Sequence, residues 1–391
     1  MVDSETIDLA IAHPPLELLP SNADVLEWAS GFVRGRPATD IVGYGEHAGL
    51  GEARIAIAEW LGQAHVGPEK WEPSGLELVL SAGVSGGIDM CARSLNTWYE
   101  DGIEMGCVAL VEEKTYELAP PILEAAGLNI VRVPSDKDGV VPEGVAAEVR
   151  ARGGAGGGKN SVRLLYIVPS HGNPTGATLS AERRSRLLAL SQELRFYIVS
   201  DEIYGLLSFR SGPPAPLSAS GVPNVLSINS VSKLCSPGLR VGWIHCTDSS
   251  VRSLIADIPL ATSGGSPVSA LAAAAVAWAA ESGELGKRTS KARILLFERA
   301  AALSEALELR LQGTKASLWP CSGGYFLWLS LPTASAALAI AKALEDGLPR
   351  TLVGILPSQS GLRLCFAGVP CKLLTIAAQR IGDVVREVLS L

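Results

Sequence analysis

The chain has 391 residues, a mass of 40.8 kDa and a formal net charge of −7 at pH 7. Hydrophobic residues make up 47% and charged residues 19%, which excludes a long disordered or collagen-like chain. Lysine and arginine are not clustered in any window, so the composition argues against a nucleic-acid-binding protein. At about 150 residues per domain, the length predicts two or three domains, or one large domain with an appendage.

The cysteines and the N-terminus indicate the compartment. The cysteines are odd in number, widely spaced and without a Cys-x-x-Cys pair, so they predict reduced core thiols and no metal site: Cys91, Cys107, Cys235, Cys246, Cys321, Cys365 and Cys371. The first stretch, MVDSETIDLAIAHPP, is acidic and has no basic region, unlike a signal peptide. No apolar run reaches the roughly 18 residues of a membrane span. We therefore expect a cytoplasmic protein without membrane attachment.

From about Gly45 onward, short apolar runs alternate with helix-periodic segments, which is typical of βαβ units around a parallel sheet. The segment GLGEARIAIAEWL predicts a helix with one apolar face. Seven strand-like runs follow: LELVLSA, CVALVEE, NIVRVP, LLYIVP, FYIVSDEI, VLSINSVSK and LRVGWIHC. Helical segments lie between several of them, among them VSGGIDMCARSLNTWY, APPILEAAG and AERRSRLLALSQEL. The pattern predicts an α/β fold, a three-layer α/β/α large domain with a mostly parallel seven-stranded sheet.

After residue 265 the pattern changes to long helices with two strand-like stretches, GGYFLWLSLP and GLRLCFA, which predicts a smaller α+β domain. The apolar run VSALAAAAVAWAA predicts a buried helix with Ser266 as N-cap and Pro267 at its first position. We expect residues 1–44 to be an N-terminal segment that forms part of the small domain. Residues 45–265 form the large domain and residues 266–391 the small C-terminal domain.

The most specific segment is NSVSKLCSPGLRVGW, which places Lys233 in a serine-rich turn after a buried strand and Arg240 seven residues later. Upstream, PSHGNPTG contains Asn173, and SDEIYG contains Asp201 and Tyr204. The last two residues fall at the carboxyl end of a predicted strand, where ligands bind in open α/β sheets. Each of these residues alone has an ordinary structural explanation, such as a turn or a helix cap. Their combination in this order is specific.

In these motifs the chain resembles the fold-type I pyridoxal-phosphate-dependent enzymes, in particular the aminotransferase class I/II family. The family motif Ser-x-Ser-Lys-x-x-x-Pro-Gly-Leu-Arg-x-Gly-Trp is matched at every defined position, and the resemblance extends from about Ile7 to the C-terminus. It implies an aminotransferase that moves an amino group between an α-amino acid and a 2-oxo acid. In such an enzyme Lys233 forms a Schiff base with pyridoxal 5′-phosphate.

The resemblance also implies a role for each residue around the cofactor ring. Lys233 is the nucleophile and proton carrier, and Asp201 pairs with the pyridine nitrogen so that the ring withdraws electrons. Tyr204 completes the catalytic set and, with Asn173, binds the ring oxygen O3′. Tyr116 stacks on the ring face.

The same resemblance assigns the phosphate and the substrate. The implied phosphate ligands are backbone amides at a helix N-terminus and three side chains: Val84, Ser85, Ser230, Ser232 and Arg240. Tyr44 is implied to reach the phosphate of a neighbouring subunit, which predicts a homodimer. Arg363 clamps the substrate α-carboxylate, and Ala12 stands where the family has a glycine near that carboxylate, with His13 beside it. Because Ala12 and Arg363 come from opposite chain ends, both ends are expected to build the small domain.

Two other function classes remain open from the sequence. A pyridoxal-phosphate-dependent lyase, or an enzyme that forms carbon–carbon bonds or catalyses substitution, could use the same scaffold, and the altered segment at Ala12 keeps this alternative open. A transcription regulator could carry this domain as a sensor, but we expect such a protein to have a basic winged helix ahead of it. Here the enzyme-like pattern begins by Ile7. An inactive binding protein is expected to lose Lys233 or Asp201, and both are present.

Overall fold

The computed structural model describes residues 6–37, 39–65, 71–96, 106–154, 160–209, 212–263, 265–356 and 359–389. The strands are β1 (Thr6–Leu9), β2 (Leu78–Ser81), β3 (Val108–Glu112), β4 (Asn129–Val133), β5 (Ser135–Asp136), β6 (Gly139–Val140), β7 (Val162–Ile167), β8 (Tyr197–Asp201), β9 (Val225–Ser230), β10 (Gly242–His245), β11 (Ser317–Leu318), β12 (Phe326–Ser330), β13 (Arg350–Ile355) and β14 (Gly361–Cys365). The helices are α1 (Asn22–Val33), α2 (Thr39–Val42), α3 (Gly51–Ala64), α4 (Gly83–Asn96), α5 (Ala119–Ala125), α6 (Pro142–Ala151), α7 (Ala181–Leu194), α8 (Ser249–Ser263), α9 (Ala270–Glu281), α10 (Glu284–Leu311), α11 (Ala334–Asp346) and α12 (Cys371–Val388).

The large sheet has seven strands in the order β2-β10-β9-β8-β7-β3-β4. Only β10 among them runs antiparallel to its neighbours β2 and β9. Each strand falls on one of the seven runs predicted from the sequence, so the α/β prediction is confirmed. The inner strands β3 and β9 are buried along their whole length, as expected when helices cover both faces of a parallel sheet.

Alternate residues of β3 show the three layers. Val108 and Leu110 pack into one apolar cluster, with Val145 of α6 and Leu187 of α7. Their neighbours in β3 belong to a second cluster that includes Ile88 of α4. Successive side chains of a strand point to opposite faces, so α6 and α7 cover one face of the sheet and α4 covers the other.

The small sheet joins the two ends of the chain, in the order β1-β13-β14-β12-β11. The N-terminal β1 pairs in parallel with β13, and Thr6 lies opposite Arg350. Two of the five strands, β12 and β14, were predicted as strands. The sequence analysis missed β13 because its burial is irregular: Arg350 and Ile355 are exposed and the strand contains Gly354, so its apolar pattern is weak.

The alanine-rich helix α9 begins later than predicted. Its first residue is Ala270 and its N-cap is Ser269, so the assignment of Ser266 and Pro267 to the helix start is wrong. The Ser266 hydroxyl instead accepts a hydrogen bond from the Val268 amide at 3.3 Å, which closes a turn before the helix. The small alanine side chains let α9 pack closely between α1 and α3.

All seven cysteines lie in the described part of the chain and are free thiols. Five are buried as predicted, but Cys321 and Cys371 are partly exposed, so the prediction of core positions is wrong for these two. Cys371 begins α12, and Cys321 precedes β12. No helix among the described residues has the length and apolar character needed to cross a membrane.

Candidate active site

A cavity of about 440 Å³ lies where the carboxyl ends of the parallel strands face the N-terminal segment and β14. Most of the residues that the sequence analysis singled out line it: Ala12, Val84, Ser85, Tyr116, Asn173, Asp201, Tyr204, Ser230, Ser232, Lys233, Arg240 and Arg363. The structure does not bring Tyr44 or His13 into this cavity. Both residues are exposed, and Tyr44 borders a different surface pocket.

Lys233 ends a short 3₁₀ turn, Val231–Lys233, that follows β9. The hydroxyl of Ser230 caps this turn by accepting a hydrogen bond from the Ser232 amide at 3.1 Å. The Lys233 ammonium donates to the carbonyl oxygen of Ala12 at 2.6 Å. Burial lowers the pKa of the Lys233 amine. The lowered pKa favours the neutral amine, which is the nucleophilic form.

Tyr325 of the small domain fixes the backbone of this lysine. It is fully buried just before β12, and its hydroxyl donates to the carbonyl oxygen of Lys233 at 2.7 Å. Its ring also packs against the ring of Tyr204, with centroids 5.3 Å apart. The sequence analysis missed Tyr325 because nothing in GGYFLWLSLP indicates a contact with a turn almost one hundred residues earlier.

Asp201 is buried at the end of β8. Its Oδ1 accepts a hydrogen bond from the Ile203 amide at 3.1 Å, and its Oδ2 accepts one from the Tyr166 hydroxyl at 2.8 Å. Burial raises the pKa of the Asp201 carboxyl to about 7. The ionised carboxylate is therefore costly in the protein alone, and a cation that enters the cavity would stabilise it.

Tyr166 is a second residue that the sequence analysis missed. It is fully buried on β7, where a tyrosine hydroxyl needs a partner. In the register of β7 and β8, Ile167 lies opposite Ser200. Tyr166 is the residue before Ile167 and Asp201 is the residue after Ser200, so these two lie diagonally across the strand pair. The polar tyrosine in the apolar run LLYIVP was the available signal, but its partner depends on the strand register.

We expect Tyr166→Phe to weaken cofactor binding about tenfold, because the variant loses a hydrogen bond to a charged group while the packing of the ring is kept. The dissociation constant of pyridoxal phosphate is measured by spectral titration of the cofactor-free protein. Tyr197→Phe is the matched control, since Tyr197 lies on the neighbouring strand and does not line the cavity. Equal affinity for Tyr166→Phe and wild type would show that this hydrogen bond does not position Asp201.

Arg363 lies on β14 and lines the cavity. Its Nη1 donates to Asn173 Oδ1 at 2.9 Å, and its Nη2 donates to the carbonyl oxygen of Ala10 at 2.7 Å. The neighbouring strand has Gly354 opposite it, where a Cβ would lie 2.8 Å from the Arg363 Nε. The glycine therefore leaves the space that the guanidinium occupies. A fixed guanidinium fork of this kind suits a carboxylate.

The part of the cavity at the start of α4 is suited to binding an anion. Gly83, with φ +73°, opens α4, so the amides of Val84 and Ser85 lie in the first turn of a 14-residue helix. Arg240 donates from its Nη2 to the carbonyl oxygen of Ala82 at 2.9 Å, which holds its guanidinium beside that helix start. The buried hydroxyl oxygen of Ser232 has no hydrogen-bond partner among the described residues.

These observations test whether the residues fit pyridoxal phosphate. The cavity contains the amine of Lys233, whose lowered pKa favours the neutral form, and the carboxyl of Asp201, whose ionised form needs a cation. It also contains an anion site in which the Ser232 hydroxyl has no partner among the described residues. An aldehyde, a pyridinium nitrogen and a phosphate are the three groups that match them. The donor set therefore fits this cofactor. Within the described residues, no cluster of three or more His, Cys, Asp or Glu side chains could hold a metal ion.

Glu112 is a further buried acid next to this site. It ends β3, accepts a hydrogen bond from the Val168 amide at 3.0 Å, and does not line the cavity. Burial raises the pKa of the Glu112 carboxyl from 4.5 to about 8. The carboxyl is therefore mainly protonated in the folded protein at neutral pH and ionised in the unfolded chain.

This difference predicts a pH dependence of stability. Because the folded protein retains the Glu112 proton and the unfolded chain does not, the free energy of unfolding falls as the pH rises towards 8. We expect the melting temperature of the cofactor-free protein to fall by a few degrees between pH 6.5 and pH 8, and less in Glu112→Gln. His65 and His171, whose pKa values burial lowers from 6.5 to about 4, offset part of this fall, because in the unfolded chain they still release protons just above pH 6.5. Their contribution is the same in wild type and Glu112→Gln, so the difference between the two proteins reports on Glu112. An equal fall in wild type and Glu112→Gln would contradict this account.

The chain is similar in sequence to a known protein family and to several known proteins. The family model for aminotransferase class I and II matches residues 20–381. The chain is 27% identical to aromatic-amino-acid aminotransferase 1 of Thermococcus litoralis, over 98% of this chain and 89% of that protein. It is 31% identical to YdfD of Bacillus subtilis, an uncharacterised HTH-type transcriptional regulator, over 74% of this chain. The chain spans 58% of the length of that regulator.

Solved structures share the fold. A structure of an archaeal alanine:glyoxylate aminotransferase superposes with a TM-score of 0.82 at 24% identity, covering 97% of this chain and 91% of that one. A multiple-substrate aminotransferase from Thermococcus profundus gives a TM-score of 0.82 at 23% identity, covering 100% of this chain and 93% of that one. The family match covers most of the chain and includes the residues that line the cavity from Val84 to Arg363. The chain therefore belongs to the class I and II aminotransferase family.

Proposed function

We propose that the protein is a pyridoxal-phosphate-dependent aminotransferase that moves an amino group between an α-amino acid and a 2-oxo acid. One observation carries the proposal: Lys233, Asp201 and Arg363 surround a single cavity that also contains an anion site. The family to which the chain belongs supports the same activity.

Each residue has a task in this reaction. When bound, pyridoxal phosphate supplies an electron sink for the electrons that remain when the substrate's α-proton departs. Arg363 binds the substrate α-carboxylate through its guanidinium fork, and Asn173 braces that fork. The neutral amine of Lys233 takes the proton from the substrate Cα, as a general base. Asp201 keeps the pyridine nitrogen protonated, and Tyr166 holds its carboxylate.

The remaining cavity residues hold the cofactor in the proposal. The phosphate is bound by the α4 amides of Val84 and Ser85 and by the side chains of Ser230, Ser232 and Arg240. Tyr116 covers the ring face, and Tyr204 binds the ring oxygen together with Asn173. Ala12 contributes its carbonyl oxygen, which accepts from Lys233. His13 is exposed, and we propose no role for it beyond the backbone of this segment.

An isotope experiment tests the proposed function against the lyase alternative. The cofactor-loaded protein is incubated with a panel of ¹⁵N-labelled amino acids and an unlabelled 2-oxo acid. Amino transfer predicts that ¹⁵N appears in the amino acid formed from the 2-oxo acid. Release of ¹⁵N-labelled ammonia without labelled product would indicate elimination or substitution chemistry instead, and would contradict the proposal.

We also propose that two copies form a homodimer in which Tyr44 of each copy reaches the cofactor phosphate of the other. The support is that Tyr44 is 88% exposed and that the apolar Val42, two residues earlier, is also exposed. We expect a dimer by analytical ultracentrifugation, and a several-fold weaker affinity for pyridoxal phosphate in Tyr44→Phe, because the phosphate loses one hydrogen bond. A monomeric protein, or a Tyr44→Phe variant with unchanged cofactor affinity, would contradict this arrangement.

Two organisational proposals follow from the fold. The free cysteines favour a reducing compartment such as the cytoplasm. The pairing of β1 with β13 supports a small domain made from residues 1–44 and 266–391, with residues 45–265 as the cofactor-binding domain.

A further inference from the structure

The N-terminal segment runs alongside the place where the substrate Cα must lie. The carbonyl oxygen of Ala10 accepts from Arg363 at 2.7 Å, and the carbonyl oxygen of Ala12 accepts from Lys233 at 2.6 Å. In the proposed function Arg363 binds the α-carboxylate and Lys233 takes the α-proton. Ile11 stands between these two carbonyls and lines the cavity. Besides the α-carboxylate and the α-proton, the substrate Cα carries the side chain, and Ile11 is therefore adjacent to that side chain.

Leu118 lines another part of the cavity wall, two residues after Tyr116. Ile11 is 52% exposed and Leu118 is 55% exposed, although both side chains are large and apolar. A ligand with an apolar group that covers both side chains removes their apolar surface from water. This burial contributes favourably to the free energy of binding. An apolar substrate side chain can provide that cover.

Within one chain, the charged residues described in the cavity leave no partner for an acidic substrate side chain. The cations among the described lining residues are Lys233, Arg240 and Arg363. Each has a task in the proposed function: the amine reacts, Arg240 meets the phosphate, and Arg363 meets the α-carboxylate. No lining cation in the described part of the chain is left for a second substrate carboxylate. Glu117, which lines the cavity beside Leu118, would repel one.

We infer that the preferred amino acid and its 2-oxo acid carry an aliphatic or aromatic side chain, and that Ile11 and Leu118 select it. This inference rests on the proposed function and names its substrate class. The two residues act as specificity determinants, because they contact the substrate side chain and not the atoms that react.

The test compares leucine and phenylalanine with glutamate and aspartate as amino donors. We expect kcat/KM to be at least about tenfold higher for the apolar pair, the discrimination typical of a hydrophobic pocket. Ile11→Ala and Leu118→Ala should each lower kcat/KM for leucine about tenfold and leave that for alanine nearly unchanged. Leu338→Ala is the matched control, since Leu338 is 54% exposed on α11 and does not line the cavity.

A binding measurement gives a readout that does not depend on turnover. Calorimetry with the cofactor-loaded protein compares 4-methylpentanoate with glutarate, two unreactive acids of which only the second has another carboxylate. We expect tighter binding of 4-methylpentanoate, and Leu118→Arg should shift both binding and kcat/KM towards the dicarboxylate and glutamate.

The outcomes separate the inference from the function on which it rests. Amino transfer with glutamate or aspartate as the best donor would overturn the inference and leave the proposed function standing. Equal losses for leucine and alanine in both alanine variants would also overturn it. If no amino acid transfers its nitrogen to a 2-oxo acid, the proposed function fails and the inference fails with it.

Discussion

Lys233→Ala is expected to abolish the visible absorbance of the protein loaded with pyridoxal phosphate and to lower the rate of amino transfer about 10³-fold. The variant loses both the amine that bonds to the cofactor and the base that moves the α-proton. Absorbance spectra of the dialysed protein, recorded with and without added cofactor, provide the first measurement. Single-turnover kinetics with leucine provide the second.

A matched variant separates this effect from a general loss of charge. Lys287 is exposed at the start of α10, where it forms an ion pair with Glu284 at 2.9 Å. Lys287→Ala should therefore keep the spectrum and the rate of the wild type. A visible absorbance that survives in Lys233→Ala would show that another lysine binds the cofactor.

Asp201→Asn is expected to lower the rate of proton removal from the substrate Cα about 10²-fold or more. The amide has the shape of the carboxyl but cannot stabilise a protonated pyridine nitrogen, so the ring withdraws electrons less strongly. Exchange of the α-proton of leucine for deuterium, followed by NMR, measures this step directly.

The same substitution should act differently on the cofactor-free protein. Burial raises the pKa of Asp201 to about 7, so its ionised form is destabilising above that pH in the absence of the cofactor. Asp201→Asn should therefore not reduce the melting temperature of the cofactor-free protein at pH 8. Asp89→Asn on α4, which breaks a half-buried ion pair with Arg93 away from the cavity, is the control for the kinetic effect. Proton exchange at the wild-type rate in Asp201→Asn would contradict the assignment of Asp201 as the partner of the pyridine nitrogen.

The large domain could be predicted from the sequence because its strands are buried on both faces. Runs such as VALV in β3 and LLYI in β7 are continuous and apolar, and each is bounded by helix-periodic segments. The small sheet was less visible, since β13 has exposed ends and β11 has only two residues. The start of α9 was misplaced because a Ser-Pro pair forms turns as well as helix starts.

The candidate site, like the fold, could be predicted only in part from the sequence. Motif order pointed to most of the residues that line the cavity, including Lys233, Asp201 and Arg363, but it also pointed to Tyr44 and His13, which do not line it. It did not identify Tyr166 or Tyr325, whose hydrogen bonds depend on strand register and on the approach of the small domain. Contacts of this kind come from tertiary packing, and local sequence does not encode them.

A single turnover with an amino donor alone distinguishes amino transfer from elimination. The cofactor-loaded protein is mixed with an excess of leucine and no 2-oxo acid, and the bound cofactor and the released products are quantified after a single turnover. Amino transfer predicts one equivalent of 2-oxo acid and one equivalent of pyridoxamine phosphate per cavity, with no ammonia. Ammonia release while the cofactor remains pyridoxal phosphate would contradict it.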